Sequence, residues 1–85
     1  MQDAMVTGNA SADRAVVLVT TTSREEAEKI AQLLLDRRKV ACVNIVPGVH
    51  SFFWWQGKLD SAQESLLIAK TRTSLVPQIV DLVRG

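Results

Sequence analysis

Tyrosine is absent from this chain of 85 residues, cysteine and histidine occur once each, and proline occurs twice. A single cysteine, Cys42, excludes an intrachain disulfide framework and a cysteine-only zinc site within one chain. A single imidazole, His50, excludes a His-Glu-x-x-His metal helix, and neither a Gly-x-Gly-x-x-Gly run nor a P-loop occurs. Long apolar runs are also missing. The longest extends only from Ala15 to Val19, far short of the ~20 residues of a spanning helix. Neither sign of charge dominates: ten Lys and Arg against nine Asp and Glu leave a net charge of +1. That balance gives no support to a nucleic-acid or membrane-surface partner. The length holds one domain at most, and no repeat or low-complexity segment breaks it up.

What is present is ordinary for a globular protein: 47% hydrophobic and 22% charged residues, with enough Val, Ile and Leu to build a core. Residues 1–14 are mostly small and polar and lack the roughly 7–15-residue apolar stretch of a secretory signal. They read as a disordered tail, with Met5 as an alternative start, ahead of one domain over residues 15–85. The cytoplasm is the default address, and a free thiol fits it.

Ala15 to Thr20 is rich in β-branched residues and apolar at every position but the last, as expected of a strand placed centrally in a sheet. Ser23, followed three residues later by Glu26, is a capping box, and Ala27, Ile30, Ala31 and Leu34 then recur at helical spacing. A helix over residues 24–38 follows, with acidic residues early and Arg37, Arg38 and Lys39 late, in accord with the macrodipole. Val40 to Val46 alternates as a strand. Pro47-Gly48 bends or bulges it, and Val49 to Trp55 continues extended. Gln56-Gly57-Lys58 reads as a turn and Leu59 to Gln63 as hairpin loop. Ser65 to Thr71 is a third strand. A second helix begins near Thr73 or Ser74, either of which would cap it, with Pro77 in the first turn. The order β-α-β-β-α with an antiparallel sheet is that of a ferredoxin-like α/β sandwich. Its usual fourth strand, which follows the second helix, is missing.

All the aromatic residues sit together: Phe52, Phe53, Trp54 and Trp55. On a strand, Phe53 and Trp55 face one side, and Phe52 and Trp54 the other. A small sheet with helices on one face cannot cover both sides, so the aromatic block points to an interface with a further copy of the chain.

Cys42 and His50 are the soft and borderline metal ligands of the chain. Their even spacing puts them on one face unless a bulge resets the register, but up to ~26 Å apart on an extended strand. The plainer reading is that Cys42 is a buried small hydrophobe and His50 a surface residue. Lys58, Asp60, Glu64 and Lys70 flank the hairpin. They read either as a solvated charged rim or as a cleft at a subunit boundary, with Lys58 and Lys70 on an anion. Asn44, in an apolar strand, either orients a ligand or pins an interface. No acid–base or nucleophilic constellation emerges, so no enzyme activity is expected.

Four segments carry a resemblance to a known family: Val17 to Thr20, Ala41 to Val49 (Ala-Cys-Val-Asn-Ile-Val-Pro-Gly-Val), Trp54 to Leu59 (Trp-Trp-Gln-Gly-Lys-Leu) and Glu64 to Thr71. Together they resemble the CutA divalent-cation tolerance proteins over about Val16 to Arg84. The resemblance implies a ferredoxin-like fold and a very stable homotrimer whose long hairpins join sheets across a three-fold axis. It also implies a role in tolerance of copper and other divalent cations, without established catalysis, and an architecture like that of the PII signalling proteins. A PII-like module would bind a small molecule or anion between subunits. Cys42 matches the family's motif cysteine, a proposed metal contact; His50 matches no family position. Asn44, Phe53, Trp54, Trp55, Lys58, Glu64 and Lys70 fall where the cleft and interface would lie. Family members continue past the second helix with a His-Pro-Tyr-Glu-like segment, a strand and a helix that do not occur here.

Overall fold

The computed structural model describes residues 3–7 and 13–85. The elements run β1 (Asp3–Thr7), β2 (Arg14–Thr21), α1 (Arg24–Asp36), β3 (Cys42–Trp55), β4 (Lys58–Arg72), a 3-10 turn (Thr73–Leu75) and α2 (Val76–Arg84). The strands form one antiparallel sheet in the order β1-β2-β4-β3. From β2 onward this is the ferredoxin-like β-α-β-β-α sandwich, with both helices on one face.

That face is built by alternation. Val17 and Val19 of β2 and Leu67 and Ala69 of β4 are buried against Ile30, Ala31 and Leu34 of α1 and Ile79 and Val83 of α2. The apolar stripe of α1 lies where its helical spacing put it. Ser23 caps α1 by accepting a hydrogen bond at Oγ from the Glu26 N–H (3.1 Å). The reciprocal half of the box is displaced by one residue: the Glu26 carboxylate accepts from the Thr22 N–H (3.2 Å) rather than from the cap itself.

Four expectations need correcting. Asp3–Thr7, placed in the tail, is an edge strand paired with Val16 to Thr20 of β2. Backbone pairing along the outer edge of a central strand supplies hydrogen bonds that composition does not register. The rest of the expected tail before Asp13 lies outside the described residues. Leu59 to Gln63 is not loop but the first part of β4, opposite Trp54 to His50. Its polar residues stand in a ribbon where no residue from Val46 to Glu64 is buried, so alternation has no core to select for. The reversal itself needs only two residues: Gln56 (φ 49°) and Gly57 (φ 76°) are both left-handed, as a type I′ turn requires. The second helix has no side-chain cap; it grows from the 3-10 turn with Leu75 at the N-cap position and Pro77 in its first turn. Helix α1 stops at Asp36, so Arg37, Arg38 and Lys39 form its terminus rather than its last turn.

The β3–β4 hairpin outruns the helices. The radius of gyration is 13.2 Å, against about 12 Å for a compact chain of this length, and the longest dimension is 39 Å.

Candidate functional site

Partners across an antiparallel pair present their side chains to the same face, so register assigns every strand residue to a side. On the face away from the helices, three rows cross the sheet: Val16–Lys70–Cys42, Leu18–Ile68–Asn44 and Thr20–Leu66–Val46. Leu18, Leu66 and Ile68 are half-buried by their neighbours, while Val46 is exposed. No described element packs on these rows. Beyond the bulge this face continues onto the arm with Phe53, half-buried, and Trp55, 52% exposed, while the register turns Phe52, Trp54 and Leu59 to the opposite face, where they are 66%, 75% and 65% exposed. Neither indole is covered by its own chain. The outer edge of β3 is also unpaired among the described residues.

The bulge decides the fate of the proposed ligand pair. Val46 pairs with Leu66 but Val49 pairs with Glu64, so β3 holds one extra residue around Pro47 and Gly48 (φ 74°). Side-chain parity is thereby reversed. Cys42 lies on the face away from the helices and His50 on the other, its ring centroid 4.5 Å from that of Phe52. One protomer does not bring the two together. Cys42 is exposed, not buried, and its Sγ lies 3.8 Å from Asn44 Oδ1. Among the described residues no group of three or more His, Cys, Asp or Glu converges.

Lys58, Glu64 and Lys70 share the face of Cys42, but Lys58 closes the turn while Lys70 sits at the far end of the strand. Twelve residues of strand separate their backbones by more than ~30 Å, so they serve one ligand only if different copies contribute them. What local reading missed is the surroundings of Lys70. A cleft of about 760 Å³ opens at this end of the sheet, between β2, β4 and the chain joining α1 to β3, and Cys42 forms part of its wall. Arg14, Arg38, Lys39 and Arg72 line it with Lys70. They come from segments far apart in sequence, and only their charge, summed by segment, would have hinted at it.

With this geometry established, four similarities bear on it. The family described as CutA1 divalent ion tolerance protein matches residues 15–85. The divalent-cation tolerance protein CutA of Archaeoglobus fulgidus is 46% identical over 69 residues, covering 81% of this chain and 67% of that protein. The chloroplastic protein CutA 1 of Oryza sativa is 41% identical over 70 residues, covering 82% of this chain but only 40% of its own length. The chain therefore spans between two fifths and two thirds of these relatives. Among solved structures, the divalent cation tolerance protein of Thermus thermophilus superposes with a TM-score of 0.80 at 45% identity, over 84% of this chain and 69% of that one.

Proposed function

Because the chain belongs to the CutA1 divalent ion tolerance protein family, we propose that it works as a non-catalytic homotrimer in tolerance of divalent cations, copper among them, with Cys42 as a metal contact. The observation that supports assembly is the uncovered apolar surface beside the free β3 edge: Leu18, Ile68, Leu66 and Val46 run on to Phe53 and Trp55 on one face, and Phe52, Trp54 and Leu59 stand exposed on the reverse face of the arm. A monomer rarely leaves so continuous an apolar surface in water, and an unpaired edge accepts a neighbouring strand. Light scattering on the purified chain tests this. The expected mass is three times that of the protomer, and Trp54→Ser with Leu59→Ser lowers it to one. A wild type of protomer mass at micromolar concentration overturns the reading.

Cys42 supports the metal role because it is an exposed thiol, the ligand type that suits Cu(I). Since no donor cluster forms among the described residues, the remaining ligands come from other copies or from small molecules. Calorimetry with Cu(I) and Cu(II), comparing wild type with Cys42→Ser, decides the point: unchanged affinity removes Cys42 as a ligand. We place the protein in the cytoplasm on the strength of that unpaired thiol. Among the described residues no helix is long and apolar enough to cross a membrane.

A further inference from the structure

Half of the chain's ten basic residues line one cleft: Arg14, Arg38, Lys39, Lys70 and Arg72, with no carboxylate in its wall among the described residues. Their placement is costly in three ways. Arg14 and Arg72 stand directly opposite each other across β2 and β4, a like-charge pair that destabilises a ladder. Lys70 is next along the same face, between Val16 and Cys42. Arg38 takes a left-handed backbone (φ 55°) where a helix terminus ordinarily carries glycine. Of the five, only Lys39 has a side-chain partner among the described residues: its Nζ donates to the Gln78 side-chain oxygen Oε1 at 2.6 Å. A neutral, merely structural corner has no reason to concentrate cations in this way, whereas a site for an anion does.

We propose that this cleft binds a small molecule carrying phosphate groups. Three guanidinium groups offer planar donor forks that match phosphate oxygens in pairs. The volume, about 760 Å³, suits a small organic ligand. Val16, Val40 and Leu75 in the same wall give an apolar surface for a part of the ligand that is not phosphate. The connection from α1 to β3 is held in place to form that wall: Thr71 Oγ1 donates to the Lys39 carbonyl at 2.6 Å, and the Ala41 N–H donates to the Lys70 carbonyl at 2.8 Å. The concavity and the net negative remainder of the chain, five Lys and Arg against nine Asp and Glu, favour a small polyanion over a nucleic-acid strand. All of its lining residues belong to one protomer, and its cations offer phosphate donors without a metal.

Calorimetry on the chelator-treated full chain tests it, with inorganic pyrophosphate and ADP as probes and sulfate at matched ionic strength as control. Saturable binding of one pyrophosphate or ADP per chain is expected, at least tenfold weaker in Arg14→Gln/Arg72→Gln and unchanged in Lys29→Gln, which removes an exposed cation of α1 outside the cleft. A melting temperature of the double variant equal to or above wild type shows that its loss of binding is not loss of fold. ADP binding more tightly than pyrophosphate identifies an organic phosphate as the ligand, and equal binding an inorganic one. No saturable binding of either probe overturns the proposal. So does affinity equal to that of sulfate, or affinity retained by the double variant. Failure of the trimer or of copper binding leaves these outcomes unaffected.

Discussion

Replacing Arg38 by glycine should make the protein more stable. Helix α1 ends in a paired motif: the Arg38 N–H donates to the Leu35 carbonyl at 3.0 Å, and the Lys39 N–H donates to the Leu34 carbonyl at 2.9 Å. These are the two bonds of a Schellman terminus, with Arg38 at the left-handed position. A residue with a Cβ pays about 1–2 kcal/mol for that conformation. Glycine avoids the clash but loses about 0.5–1 kcal/mol more chain entropy on folding than a residue with a side chain. Arg38 is exposed, so its removal forfeits little packing. The net expectation is a gain of about 0.5–1 kcal/mol, or about 2–8 °C in melting temperature for a domain of this size. Relief of repulsion within the cationic cleft adds to it. Arg38→Ala separates the two causes, because alanine removes the charge but keeps the strained backbone. Thermal melts followed by circular dichroism at equal protomer concentration supply the measurement, concentration being held fixed because assembly shifts apparent stability. If Arg38→Gly melts no higher than Arg38→Ala, backbone strain at this position is not the cost assigned to it. A stabilised Arg38→Gly that also binds pyrophosphate more weakly would show stability traded for a ligand.

Three further substitutions probe the frame. Leu34 is fully buried between α1 and the sheet, so Leu34→Ala should cost about 2.7–5 kcal/mol, read as a lower urea midpoint at unchanged slope. Gly57→Ala should cost about 0.5–1 kcal/mol net, because forcing a Cβ into the left-handed turn position (φ 76°) outweighs the chain entropy that alanine spares; a variant as stable as wild type in urea would show that the turn relaxes at no cost. Thr71→Val removes the 2.6 Å bond to the Lys39 carbonyl and should cost about 1 kcal/mol. The accompanying sign is faster hydrogen exchange at the Ala41 amide, and unaltered exchange would mean that this bond does not hold the cleft wall.

Where neighbours in sequence decide, the chain reads directly. Ser23 and Glu26 announce the start of α1, and Ala27, Ile30, Ala31 and Leu34 announce its buried stripe. Pro47-Gly48 marks the bulge and Gln56-Gly57 the turn. The arm from Val49 to Trp55 is recognisable because its aromatics are crowded together. Leu59 to Gln63 misleads for the same reason that the others inform: a strand that buries nothing carries no apolar alternation. Asp3–Thr7 misleads because its partners, Val16 to Thr20, hold it by backbone bonds that any composition can make.

From Arg14 onward, Leu59 to Gln63 apart, the sequence alone was enough to determine element type and order, the core face of α1, and membership of a ferredoxin-like frame with an uncovered aromatic arm, since each rests on spacing within a few residues. Only the tertiary structure decided that one extra residue at the bulge turns His50 away from Cys42, and that Arg14, Arg38, Lys39, Lys70 and Arg72 converge on one cleft. Both depend on register between strands. Register is fixed by pairings across tens of residues, and a net charge of +1 averages away the asymmetry that those pairings create.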